Sequence, residues 1–196
     1  MYLIFDTETT GLPKRYDAPL SDSDNWPRCI QIAWQLHDAM GNVIEHQDFL
    51  VKPDGFNIPY DSEQIHGIST ALAEEQGVPL AEVATAFQKA LEKTTFVVGQ
   101  NVDFDVNIMG AEFYRLSQPN PLEELPVLDT CTETTAELCK IPGGRGENSS
   151  CLHLQNYMSF YLVSPLQKLI MLLPMWKPLR VVSLSWYADV FLLRKR

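Results

Sequence analysis

Three acidic side chains in the first 105 residues have the spacing to do chemistry together. Asp6 and Glu8 follow directly on the apolar run Tyr2-Leu3-Ile4-Phe5, and Thr9-Thr10-Gly11 comes next. In an extended strand, residues at i and i+2 project to the same side. Asp6 and Glu8 therefore share a face on which their like charges repel, and a divalent cation is the usual remedy. A helix cap or polar turn is the competing use of such residues, and it fits D-x-E-T-T-G less well. The third acid is Asp105, in G-Q-N-V-D-F-D.

The elements that must position these acids can be read from hydrophobic period and turn residues. The run Tyr2–Asp6 predicts a central strand buried on both faces. Cys29–His37 alternates apolar and polar residues, and Val43–Val51 returns after the turn Met40-Gly41-Asn42, which predicts a hairpin. Together these strands make an antiparallel three-strand meander. The Pro-, Asp- and Ser-rich stretch between the first two strands predicts a solvated loop. Short helical pieces follow around Ser62–His66 and Ser69–Glu75, then a helix over Pro79–Thr94 with Leu80, Val83, Phe87 and Leu91 on one face. A buried strand at Thr95–Gly99, a helix from Val102 to Leu116, a brief strand at Val127-Leu128 and a helix over Thr130–Lys140 complete the pattern. The order β-β-β-α-β-α-β-α is that of an α/β mixed sheet with flanking helices. Asp105 opens the helix after the fourth strand, so chain direction brings it to the sheet edge where Asp6 and Glu8 lie.

Composition narrows the classes. A chain of 196 residues with 45% hydrophobic and 20% charged residues has the makeup of one globular domain and not of a disordered segment. No secretory signal and no long apolar run is visible, which predicts a protein without a membrane span. The four scattered cysteines lack Cys-x-x-Cys spacing and predict free thiols in a reducing, cytoplasmic compartment. A net charge of −10 argues against a broad basic face for nucleic acid, although metal ions can neutralise phosphate locally.

At these residues the chain resembles the DnaQ-like 3′–5′ exonucleases of the ribonuclease-H-like fold, the histidine-type four-carboxylate group that includes the proofreading epsilon subunit of bacterial DNA polymerase III. F-D-T-E-T-T-G-L at Phe5–Leu12 is similar to the family's first motif, and V-V-G-Q-N-V-D-F-D at Val97–Asp105 to its second. I-H-G-I-S at Ile65–Ser69 and L-D-T at Leu128–Thr130 are similar to weaker segments. The resemblance implies a nuclease whose Asp6, Glu8 and Asp105 are catalytic ligands of two Mg2+ or Mn2+ ions. It places Thr9, Thr10, His66 and Asn101 around the terminal nucleotide. Two ions about 3.5–4 Å apart suit in-line displacement at phosphorus. The implied partners are a nucleic-acid 3′ end, DNA before RNA, and a replicative polymerase subunit. A non-catalytic binding module and an RNA-trimming exonuclease are the alternatives on the same fold.

One part of the family pattern is missing. Its third motif, H-x-x-x-x-D, would supply a general base and a fourth acid, yet His153 is followed five residues later by Met158. The chain also changes character near residue 147. All but one of the 25 acids precede residue 149, whereas six of the 15 bases follow it. We hypothesise that residues 1–146 are an incomplete exonuclease domain and that 147–196 are its remainder read in a shifted frame. Codons built from the last base of one codon and the first two of the next are forced to valine across Met175-Trp176 and glutamate across Trp176-Lys177. The other junctions from Gln167 to Ser183 permit E-A-H-N-A-x-A-D-V-E-A-T-x-R-C-F, which contains the missing motif. The encoding DNA across Gly144–Glu147 decides this: if no one-base change there restores H-N-A-x-x-D, the hypothesis fails.

Overall fold

The computed structural model describes residues 1–132. Five strands form one mixed sheet in the order β3-β2-β1-β4-β5. β1 (Tyr2–Thr9), β2 (Cys29–His37) and β3 (Val43–Leu50) are the predicted antiparallel meander. β4 (Phe96–Gly99) runs parallel to β1, and β5 (Val127–Asp129) runs parallel to β4. Helices α1 (Tyr60–His66), α2 (Thr70–Gln76), α3 (Leu80–Leu91) and α4 (Val102–Arg115) occupy the connections, with a 3-10 turn at Pro121–Glu124. The fold is the predicted mixed α/β sheet with flanking helices.

The strand period decides which residues make the core. Leu3 and Phe5 of β1, Ile32, Trp34 and Leu36 of β2, and Val97 of β4 point to one face, where α3 brings Val83, Phe87 and Leu91 and α4 brings Ile108 and Phe113. Phe87 is the hub, with its ring centroid 5.2 Å from those of both Phe5 and Trp34. Burying large apolar side chains is the main stabilising term, at roughly 1.5–3 kcal/mol each. On the opposite face Tyr2, Ile4, Phe96 and Val98 form a smaller cluster, and Asp6 and Glu8 follow Ile4 along the same row.

Three sequence expectations need correction. β1 does not end at Asp6 but runs on to Thr9, because β2 keeps pairing with it through Glu8↔Gln31 and Thr9↔Cys29. The first loop is not simply solvated. Trp26 is 3% exposed and donates its indole N–H to Pro19 O at 3.1 Å. Asn25 is also buried, and it bonds Arg15 through both its oxygen and its nitrogen. Finally, Cys29 is a buried free thiol but Cys131 is disulfide-bonded, so the expectation of free thiols throughout does not hold. The helix expected over Thr130–Lys140, the glycine-rich turn at 143–146 and the boundary at 146/147 lie outside the described residues in whole or in large part.

Candidate functional site

The acidic end of the sheet is built by strands of unequal length. β4 pairs with β1 only as far as Ile4↔Val98, so the N–H of Thr7 lies beyond that ladder. Asp105, in the first turn of α4, fills the gap. Its Oδ1 accepts from the Thr7 amide at 2.9 Å and from the Thr7 hydroxyl at 2.5 Å. Thr7 was not singled out from the sequence because it points to the face opposite Asp6 and Glu8. Only the β4 register shows that its amide needs a partner.

The backbone turns sharply to deliver Asp105. A Cβ on Gly99 would stand 2.7 Å from Val102 Cγ2, so a larger residue would collide with the first residue of α4 where the chain turns back from β4. Asn101 follows in the left-handed region (φ 54, ψ 38), which asparagine tolerates better than most residues. Its N–H donates to Asp129 Oδ1 at 2.8 Å, and the same oxygen accepts from Cys131 N at 2.7 Å. Asp129, in the L-D-T segment, thus fixes the turn that launches α4. Its role was not assigned from the sequence.

Asp105 is 4% exposed, while Asp6 and Glu8 are half-buried. The Asp105 carboxyl is pushed well above the usual carboxylate range, first by burial and then by the negative charge of Asp6; the hydrogen bonds from Thr7 pull the other way. Buried Asp105 and half-buried Asp6, whose charge opposes the ionisation of Asp105, form a hard, all-oxygen donor set. Such a set suits Mg2+, Mn2+ or Ca2+ and not a soft metal. Among the described residues no group of three or more His, Cys, Asp or Glu side chains is drawn together tightly enough to hold an ion. Like-charged side chains do not converge by themselves.

The remaining expected residues fall into two groups. Thr9 and Thr10 continue β1 into the turn at Gly11, whose φ of +148 favours glycine. Thr9 Oγ1 donates to Gly11 O at 2.7 Å. Thr10 is held by Arg28: Arg28 N donates to Thr10 Oγ1 at 2.9 Å, and Thr10 N donates to Arg28 O at 3.0 Å. His66 closes α1 and is 5% exposed. Its Nδ1 accepts from Ile68 N at 3.0 Å, which assigns the proton of the neutral ring to Nε2. Asn101 is exposed beside Asp105 at the head of α4. Asp6, Glu8, Asp105, Thr9, Thr10 and Asn101 thus all lie on the end of β1 or the start of α4, with His66 on a separate helix.

The exonuclease family model matches residues 3–162. The chain is 30% identical over 133 residues to the PolC-type DNA polymerase III of Pediococcus pentosaceus, a match covering 67% of this chain and 8% of that protein. It is 33% identical over 129 residues to that of Streptococcus pyogenes, covering 66% and 8%. The chain therefore spans less than a tenth of the length of these relatives. Its fold is also that of E. coli exonuclease I in complex with a dT13 oligonucleotide, with a TM-score of 0.65 at 21% identity over 98% of this chain and 40% of that one. The metal-free E. coli exonuclease I–ssDNA complex gives a TM-score of 0.55 at 26% identity, over 69% and 29%. A family match of this extent, on a sheet whose acidic end carries both motifs, makes the chain a member of the DnaQ-like 3′–5′ exonuclease family.

Proposed function

We propose that this chain derives from a metal-dependent nuclease that removes nucleotides from 3′ ends, and that it is impaired as written. The observation that carries the proposal is the acidic end of the sheet. There Asp6 and Glu8 share one face of β1, and Asp105 is pinned to Thr7 close enough to feel the charge of Asp6. Asp6, Glu8 and Asp105 would hold Mg2+ or Mn2+. When bound, these ions would offset the negative charge that gathers on phosphate oxygens during displacement. Thr9 and Thr10 offer hydroxyl and backbone groups to the last nucleotide, Asn101 borders the acids, and His66 on α1 is the further nucleotide-binding candidate. DNA is the favoured substrate over RNA, with a replicative polymerase subunit as a further partner. The similarity to PolC-type polymerases and to an exonuclease bound to dT13 supports both ideas.

Impairment follows from the absent H-x-x-x-x-D motif, and the shifted-frame hypothesis for residues 147–196 explains that absence. The missing histidine would act as general base on the attacking water, a role its ordinary pKa suits. The same absence favours a second reading, a non-catalytic module that keeps 3′-end binding. One experiment separates the two: Mg2+- or Mn2+-dependent release of nucleotides from single-stranded DNA, with RNA in parallel and Asp6→Ala as the control. Release that needs metal and Asp6 supports the nuclease. Metal-dependent binding without release supports the module, and release that survives Asp6→Ala overturns both.

A further inference from the structure

Glu112 is the most completely buried acid in the described structure, at 0% exposed, and no role in the site has been given to it. It stands seven residues after Asp105 on α4. Seven residues bring a helix back to within about 20° of the same face, so the two acids are stacked two turns apart on one side. Both bond to strand amides. Asp105 accepts from Thr7 N in β1, and Glu112 Oε1 accepts from Cys29 N, the first residue of β2, at 2.9 Å. The β1–β2 register shifts between Glu8 and Thr9, where Thr9 pairs with Cys29. The two acids therefore hold the sheet on either side of that irregularity.

The electrostatic setting of Glu112 is the reverse of that of Asp105. Its carboxylate lies between two guanidinium groups, with Arg28 Nε at 3.0 Å and Arg115 Nη1 at 3.1 Å. A buried charge paired on both sides has no need of a metal. What it does is fix Arg28. The Arg28 guanidinium also stacks over Phe56 at 4.4 Å, and its backbone N–H and C=O are the two groups that hold Thr10. A chain of bonds thus runs from Glu112 through Arg28 to Thr10.

We propose that Glu112 is a positioning residue: through Arg28 and Cys29 it sets the Thr9-Thr10-Gly11 turn to receive a nucleotide 3′ terminus. This rests on the 3′-end function proposed above. The test uses the full chain with Ca2+ and 5′-fluorescein-labelled oligodeoxythymidine ending in either a 3′-hydroxyl or a 3′-phosphate, and reads the ratio of the two Kd values by anisotropy. The wild type should prefer the 3′-hydroxyl. Glu112→Gln should cut that preference about tenfold, as expected for a coupled contact, while the metal-induced rise in Tm survives because Asp6, Glu8 and Asp105 are untouched. Thr10→Val breaks the far end of the chain of bonds without touching Glu112. It should give the same loss, and the double variant should lose no more than either single one. An undiminished preference in Glu112→Gln, or fully additive losses in the double variant, overturns the proposal. Loss of preference together with the Tm response means a merely structural role and also overturns it. A wild type without any preference overturns the 3′-end function itself, and this inference with it.

Discussion

β1 buries ionisable groups at both ends, and the two ends treat them in opposite ways. At its start, Tyr2 stacks on His37 with ring centroids 5.0 Å apart and on Phe96 at 5.6 Å. Burial, helped by the negative charge of Asp38, pushes the Tyr2 hydroxyl up to about 12, and burial lowers the His37 pKa. Both groups are thereby kept neutral at physiological pH, the inexpensive way to bury a titratable side chain. At the other end, beside Asp6, the Asp105 carboxyl is buried where the charge of Asp6 makes its ionisation harder still. Stability alone would favour neutral residues there. Perturbed acids at a sheet end are where function is expected.

Five changes to the molecule probe this contrast. Restoring the reading frame after Gly144–Glu147 in the encoding DNA should raise the rate of 3′-nucleotide release by about 10²–10⁴-fold, the usual contribution of a general base; single-turnover kinetics on labelled DNA measures it. In that restored chain Asp6→Ala should bring release down to background, while an urea melt shows the fold intact. Phe87→Ala, in the core that serves both ends, should cost about 3–5 kcal/mol in urea unfolding without favouring either end.

Asp105→Asn addresses the acidic end by itself. Because the folded-state pKa of Asp105 is raised, its contribution to stability is fully present below the ordinary carboxylate pKa and is lost as pH rises through the raised value. In metal-free protein at neutral pH, Asp105→Asn should therefore raise Tm and remove part of the gain that acidification gives the wild type. It should also weaken the rise in Tm caused by Mn2+. At the neutral end the sign is the same, but the window is alkaline. The stabilisation from protonated Tyr2 holds below about pH 10 and fades towards about pH 12. Tyr2→Phe should flatten that part of the pH–stability curve and leave the metal response unchanged.

The two ends also differ in how much of them could be read from the sequence. The meander, the parallel strands and the approach of Asp105 to Asp6 were legible because hydrophobic period and chain direction are local properties. Thr7, Arg28, Asp129 and Glu112 were not. Each matters through a hydrogen bond to or from a backbone group at or beyond the end of an element, as at Thr7 beyond the last β1–β4 pair. No pattern within a single strand announces where another ends. Trp26 and Asn25 were hidden for a related reason. A loop rich in Pro, Asp and Ser reads as solvated until α4 offers it an anchor, here Arg115 Nη2 donating to Ser23 O and Trp26 O.

The central claim is that the acidic end of β1 is a cation site. Direct titration of Mn2+ into the metal-free chain at neutral pH, with the free ion followed by its EPR signal, tests it without relying on turnover. Saturable binding in the wild type that disappears in Asp6→Ala is the predicted result. Absence of saturable binding, or equal binding by Asp6→Ala, would contradict it.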